Sequence, residues 1–230
     1  MSETLIDIEM MRTETFFQSD RSMFWSFLTQ CTWPWEALSQ IGKAVTLLGE
    51  QLSSDEYEAR ENNIWIHKTA TIAPTAFLGK SVIIGAGAEV RHGAFIRENA
   101  IIGCGAVIGN SVELKNAVLF DEVQVPHFNY IGDSILGYKS HLGAGAITSN
   151  VKSDKTLVSV TCGNKKIETG LKKFGAILSD NVEVGCNAVL NPGSVVGLGA
   201  AVYPLSFVRG FVPPNSIYKK QGEVIERLLS

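Results

Sequence analysis

One periodicity dominates the chain. Aliphatic residues recur at every sixth position, at Ile66, Ile72, Leu78, Ile84, Val90, Ile96, Ile102, Ile108 and Leu114. Alanine or valine sits two places before most of them, as at Ala70, Ala76, Val82, Ala88, Ala94, Ala100, Ala106 and Val112. The same grammar returns at Leu136, Leu142 and Thr148, and again at Leu178, Val184, Leu190, Val196, Val202 and Val208. A period of six fits neither the 3.6 of a helix nor the 2.0 of a long strand. It fits a solenoid in which each hexapeptide forms one short flat side and then turns a corner. The aliphatic side chain fills a narrow interior, and the small residue lets the backbone bend. Stacked coils pair their strands above and below, so no coil need be stable alone.

The pattern predicts an all-β solenoid, a left-handed parallel β-helix, over residues 64–215. Such a helix is a known exception to the right-handed crossover preference. Two interruptions mark it. The spacing of 22 between Leu114 and Leu136 is not a multiple of six, so residues 116–131 are expected to break register. The spacing of 30 between Thr148 and Leu178 keeps register, yet residues 151–175 are polar. There, two strand-like runs flank Cys162-Gly163-Asn164-Lys165, which predicts a projecting hairpin loop. Long loops on a regular scaffold commonly carry function.

Residues 1–63 lack the repeat. Leu38, Ile41, Val45 and Leu48 have helical spacing after Pro34, and Phe24, Trp25, Phe27 and Leu28 form another apolar segment. The expectation is a helical N-terminal extension that caps the open end of the solenoid, where bare strand edges invite aggregation. Residues 216–230 are read as a C-terminal tail with a short helix over 222–229.

Four scattered cysteines, Cys31, Cys104, Cys162 and Cys186, match neither a zinc-finger spacing nor a disulfide framework. The acidic start lacks the basic and apolar regions of a signal peptide, and no apolar run spans a bilayer. A cytoplasmic protein without membrane attachment is expected. Residues 1–63 hold four basic and eleven acidic side chains, against sixteen and twelve in 64–230. The basic excess gathers at Lys152, Lys155, Lys165, Lys166, Lys172 and Lys173, which favours a small anionic ligand. An acidic chain without an aromatic–basic motif argues against nucleic acid.

The segments Val125–Ser134, Gly143–Asn150 and Gly170–Ala176 combine the repeat with fixed departures from it. They read VPHFNYIGDS, GAGAITSN and GLKKFGA. In these motifs the chain resembles the acetyltransferase domain of the bifunctional glucosamine-1-phosphate acetyltransferase/N-acetylglucosamine-1-phosphate uridyltransferase family. The archaeal-type sugar-1-phosphate nucleotidylyltransferases carry the same motifs, within the hexapeptide-repeat acyltransferase superfamily. The resemblance covers residues 64–220, and Trp33–Leu38 is similar to the connector of those enzymes. Nothing in 1–63 supplies their glycine-rich nucleotide loop, so acetyl transfer without uridylyl transfer is expected.

The resemblance implies an acetyl-CoA-dependent N-acetyltransferase for an amino-sugar 1-phosphate (glucosamine or galactosamine), towards UDP-N-acetylhexosamine, working as a homotrimer. His127 matches the general base, and histidine is the side chain whose ordinary titration lies near neutrality. Arg97, Lys115, Tyr130 and Asn150 match residues that hold the sugar phosphate, and Lys155, Lys172 and Lys173 are further candidates for phosphate contact. His141 stands where the bacterial family has an asparagine that touches the sugar. Ala144, Cys186 and Lys219 match positions along the acetyl-CoA groove, with Cys186 in place of a serine. Three alternatives stand beside this reading. A zinc anhydrase needs three converging histidines, and His67, His92, His127 and His141 lack that spacing, so no metal is expected. The others are a transferase for a different small amine or hydroxyl acceptor, and a non-catalytic trimeric scaffold.

Overall fold

A computed structural model describes residues 7–227. The hexapeptides build a left-handed parallel β-helix with three faces. On the first face, strands stack from Thr71–Ile72 to Ser216–Lys220, with Thr71 paired to Glu89 and Ala201 to Ile217. On the second, the outward column runs Phe77, Phe95, Glu113, Tyr130, Ile147, Val189 and Phe207. On the third, it runs Ile83, Ile101, Val118, Ile135, Ile177, Val195 and Phe211. Strands such as Phe77–Ile84 bend round the corner between the second and third faces. The repeat's aliphatic residues, Ile96, Ile102, Ile108 and Leu114 among them, fill the interior.

Register breaks around residues 116–131, as the 22-residue spacing predicts, while the chain stays within the helix. Leu119, Val125 and Ile131 continue the buried interior. Pairing steps by eighteen from Ile83 to Ile101, then by seventeen from Ile101 to Val118 and from Val118 to Ile135. One residue is missing twice, both times at the corner between the second and third faces. Three residues turn that corner at 79–81 and 97–99, but only two do so at 115–116 and 132–133. Asn116 and Asp133 take left-handed φ angles of 49° and 47° there, a conformation asparagine and aspartate tolerate. The 151–175 insertion leaves from the same corner. It contains the expected hairpin, Ser159–Cys162 antiparallel to Lys165–Glu168.

The third face is apolar on both sides. Ile83, Ile101, Val118, Ile135, Ile177 and Val195 point outward yet are fully buried. Each such side chain stabilises the fold by about 1.5–3 kcal/mol relative to exposure. Their cover is the N-terminal segment, which runs along this flank and not across the open end as expected. Helix Ile41–Gly49 packs across three successive coils, and the turn Pro34–Gln40 lies on strand Tyr130–Leu136. Further along, Val158, Val160, Cys162 and Phe174 of the insertion are buried, and the insertion's strand Ser159–Cys162 packs against Phe211–Val212. The two covers meet where Trp35 stacks on Phe174 at 5.9 Å.

Strand edges at the ends are blunted by short antiparallel partners. Tyr57–Arg60 pairs with Ile64–His67 at the first coil. At the last, Glu223–Glu226 pairs with Ser216–Lys220 through a turn at Gly222, in place of the expected helix. Val224 and Ile225 fit a helical spacing only together with Leu228 and Leu229, which lie outside the described residues. No described helix is long and apolar enough to cross a membrane.

Asp180 ties the N-terminal strap to the solenoid. Its carboxylate accepts the N–H groups of Gln18 (2.9 Å), Ser19 (2.8 Å) and Tyr138 (2.9 Å). Burial pushes this carboxyl above its ordinary pKa, against the three donors that pull it down. Asp180→Ala orphans three N–H groups and is expected to cost about 2–4 kcal/mol. Urea unfolding measures the cost, and limited proteolysis within 7–40 shows whether the strap lifts. An unchanged midpoint with unchanged cleavage would remove this tie from the account.

Candidate active site

The corner between the first and second faces carries one column of candidates. His92, Asn110, His127, Ala144 and Cys186 occupy equivalent positions on successive coils. Their carbonyls accept N–H bonds from Ser111 (3.3 Å), Phe128 (2.9 Å), Gly145 (3.0 Å), Asn187 (2.8 Å) and Leu205 (3.0 Å). His127 is exposed, and its ring has no hydrogen-bond partner among the described residues. Cys186 is an exposed free thiol. Lys219 joins the upper end of this corner, because the Ser206 hydroxyl donates to its carbonyl at 2.9 Å, and its ammonium pairs with Glu223 at 3.4 Å. The structure thus aligns His127, Ala144, Cys186 and Lys219 along one edge.

Asn129 sets the His127 turn. Its buried side chain accepts the His127 N–H (3.1 Å) and donates to the carbonyls of Gly143 (2.8 Å) and Ala146 (3.0 Å). Between them, Phe128 is held at φ 52° with its ring in solvent, a costly conformation for a bulky residue. The asparagine stands two places before Ile131, where the repeat elsewhere places alanine or valine. A polar residue at an interior position was therefore the available signal. Thr148 gives the same signal: fully buried, it accepts the Gly132 N–H at 2.9 Å.

A second group forms at the short corner between the second and third faces. Arg97 pairs with Glu113 at 2.8 Å. Lys115, largely buried, pairs with Asp133 at 3.5 Å. Asp133 is the hub, also accepting from the amides of Asn116 (3.0 Å) and Asn150. The Asn150 amide reaches the Tyr130 hydroxyl at 3.3 Å, and the Asn116 amide reaches the Leu38 carbonyl of the strap at 3.2 Å. Burial, with the nearby Asp133 and Glu113 carboxylates, raises the Tyr130 pKa, so the phenol stays neutral and acts by hydrogen bonding. Sequence reading passed over Asp133 and Glu113, although both lie inside or beside the motifs it used.

His141 stands apart from that group within one chain. It sits on the first face, its Nδ1 2.9 Å from Glu183, beside an open depression of about 310 Å³ shared with Gln124 and Lys139. No group of three or more histidine, cysteine or acidic side chains with metal-binding geometry occurs among the described residues.

A family model described as the GMPPB C-terminal domain matches residues 86–198. The chain is 33% identical over 109 residues to the bifunctional sugar-1-phosphate nucleotidylyltransferase/acetyltransferase of Sulfurisphaera tokodaii, which covers 47% of this chain and 27% of that protein. It is 31% identical over 119 residues to the bifunctional protein GlmU of Methanocaldococcus jannaschii, covering 52% and 29%. The chain thus matches between a quarter and a third of the length of these relatives. Among solved structures, a hexapeptide transferase family protein from Anaplasma phagocytophilum aligns with a TM-score of 0.49 and 15% identity, over 73% of this chain and 82% of that one. Over these partial matches the chain is similar to the acetyltransferase-bearing sugar-1-phosphate nucleotidylyltransferases, and its repeat and coil geometry are those of a left-handed β-helix.

Proposed function

We propose that the chain transfers an acetyl group from acetyl-CoA to the amine of an amino-sugar 1-phosphate. The observation that carries this is the single edge shared by His127, Ala144, Cys186 and Lys219. Ala144 carries only a methyl group on that edge, which leaves room beside it for an extended thioester. His127 sits on the same edge with a free imidazole. As the amine nitrogen bonds to the thioester carbonyl carbon, the imidazole takes the amine proton. The carbon–sulfur bond then breaks, and the proton passes to the departing sulfur. Arg97, Lys115, Tyr130 and Asn150 supply the charged and neutral donors that hold the sugar phosphate. The Sulfurisphaera tokodaii relative is named a sugar-1-phosphate nucleotidylyltransferase/acetyltransferase, which supports acetyl transfer in sugar-phosphate chemistry; we extend this to an amino-sugar product on the way to a UDP-N-acetylhexosamine. An acceptor screen read by release of free CoA thiol tests the reading. Thiol release with glucosamine-1-phosphate or galactosamine-1-phosphate is expected, and none with any amino-sugar acceptor sinks it.

Assembly belongs to the same proposal. The second face presents Phe77 (58% exposed), Phe95 and Phe207 outward, and the adjoining corner presents Phe128, Tyr203 and Leu205. Water-exposed apolar columns of this extent mark an interface. A closed homotrimer buries them without leaving an open contact, and brings the His141 face of one copy towards another. Light scattering at micromolar concentration is expected to give three times the chain mass. A monomer at that concentration would remove the shared site.

A further inference from the structure

Three polar side chains stand on consecutive rungs of the first face. Gln124 pairs in register with His141, and His141 with Glu183. His141 and Glu183 are 42 positions apart, because the hairpin insertion leaves and rejoins the solenoid between them. Successive rungs are ~4.8 Å apart, and in-register side chains on one face point the same way. The carboxylate therefore meets the ring, with Glu183 Oε2 2.9 Å from His141 Nδ1. Gln124, His141 and Glu183 line one open depression of about 310 Å³, at the lower end of the ~300–1,000 Å³ of small-molecule sites.

This pair decides which ring nitrogen carries the proton. His67 Nδ1 lies 2.8 Å from the Thr69 hydroxyl and His92 Nδ1 2.6 Å from that of Thr75, and a hydroxyl can donate or accept. Among the described residues, His141 alone has a carboxylate on its ring. An ionised carboxylate only accepts, so a neutral His141 carries its proton on Nδ1 and presents a lone pair at Nε2. The other charges beside the depression are engaged with one another. Lys139 pairs with Glu122 at 3.4 Å, and the Tyr138 hydroxyl donates to Glu122 at 3.0 Å. Both side chains of the pair are partly exposed, at 36% and 51%, so it adds little to stability. Its consequence lies in the ring's hydrogen-bonding pattern.

We infer that Glu183 is a positioning residue for the acceptor, holding His141 in the Nδ1–H form so that Nε2 accepts a hydrogen bond from a sugar hydroxyl. Gln124, one rung away, has an amide that can donate to an oxygen of the same sugar. The feature selected is thus a hydroxyl able to donate. The inference rests on the acetyl-transfer reading, including the assembly that turns the first face of one copy towards another.

Nitrogen NMR of the full chain with labelled histidine tests it at pH 8.5, above the ordinary histidine titration near ~6.5. The chain has four histidines, and His141→Asn identifies the His141 signals by their loss. His141 Nδ1 is expected to be protonated in the parent. In Glu183→Gln, whose amide can accept from Nδ1 or donate to it, both tautomers are expected. The second readout is kcat/KM on the better of the two amino-sugar 1-phosphates and on its 3-, 4- and 6-deoxy analogues. In the parent, one deoxy analogue is expected to lose at least about tenfold. In Glu183→Gln that loss is expected to shrink to about threefold or less, with the acetyl-CoA KM unchanged. Glu183→Ala is expected to behave in the same way. A thermal melt is expected to show both variants folded, since Glu183 is exposed. An unchanged His141 tautomer in both variants, or an unchanged deoxy penalty, sinks the inference alone. A tautomer that follows Glu183 while no acceptor releases thiol sinks the transferase reading, and the sugar hydroxyl with it, while the positioning of His141 stands.

Discussion

His127→Ala is expected to lower acetyl-transfer turnover by about 10²–10⁴, the range for loss of a general base. The effect should fall on kcat, with acetyl-CoA affinity near that of the parent. Structure gives the reason for this split. The His127 turn is built by its backbone: Asn129 accepts the His127 N–H, and Gly145 donates to the His127 carbonyl. Neither bond involves the imidazole, so the corner survives truncation of the ring. Steady-state kinetics with a separate acetyl-CoA titration checks the prediction. A variant that keeps more than about a tenth of the parent turnover would assign the proton transfer to another group. Asn129→Ala is the informative companion, because it leaves the ring in place and loosens the turn that aims it.

Asp133→Ala should be the most damaging single change at the acceptor corner, costing about 3–5 kcal/mol. Its carboxylate is the common partner of Lys115, Asn116 and Asn150. Removing it leaves a largely buried ammonium uncompensated and orphans two amides, which costs more than a lost surface ion pair. Alanine also tolerates the left-handed φ of 47° less well than aspartate. Chemical denaturation gives the stability change, and the acceptor KM of any folded fraction gives the binding change. Lys115→Met with Asp133→Ala serves as the control. If the pair recovers none of the lost stability, the uncompensated charge is not the cause.

The interior of the solenoid was legible in the sequence because hydrophobicity at every sixth residue reports burial directly. The outer cover was not. Triplets such as Val82-Ile83-Ile84 and Ala100-Ile101-Ile102 announce a face buried on both sides, but nothing in them says which segment lies on top. The N-terminal helices announced only that they are amphipathic, so their place along the flank came from tertiary contacts. The seventeen-residue coils were hidden for a different reason. Two corners each shorten by one residue without disturbing the aliphatic column, and the deficit shows only as a spacing of 22. At the candidate site, His127, Tyr130, Lys115 and Asn150 were found through motif resemblance. Asn129 and Thr148 were visible as polar residues at interior positions.

The strap and Asp180 have a kinetic meaning as well as a structural one. Gln18 and Asp180 are separated by 162 positions, and neither end of that contact can form until the coils between them have stacked. Coils can add one upon another by local closure, whereas the strap must wait for distant ground to exist. During synthesis the strap emerges before the coils it docks on and is thus among the last segments to settle. Until they do, the column from Ile83 to Ile135 lies bare as a greasy ribbon on a growing β-sheet. That interval is when the chain is most prone to stick to its own copies.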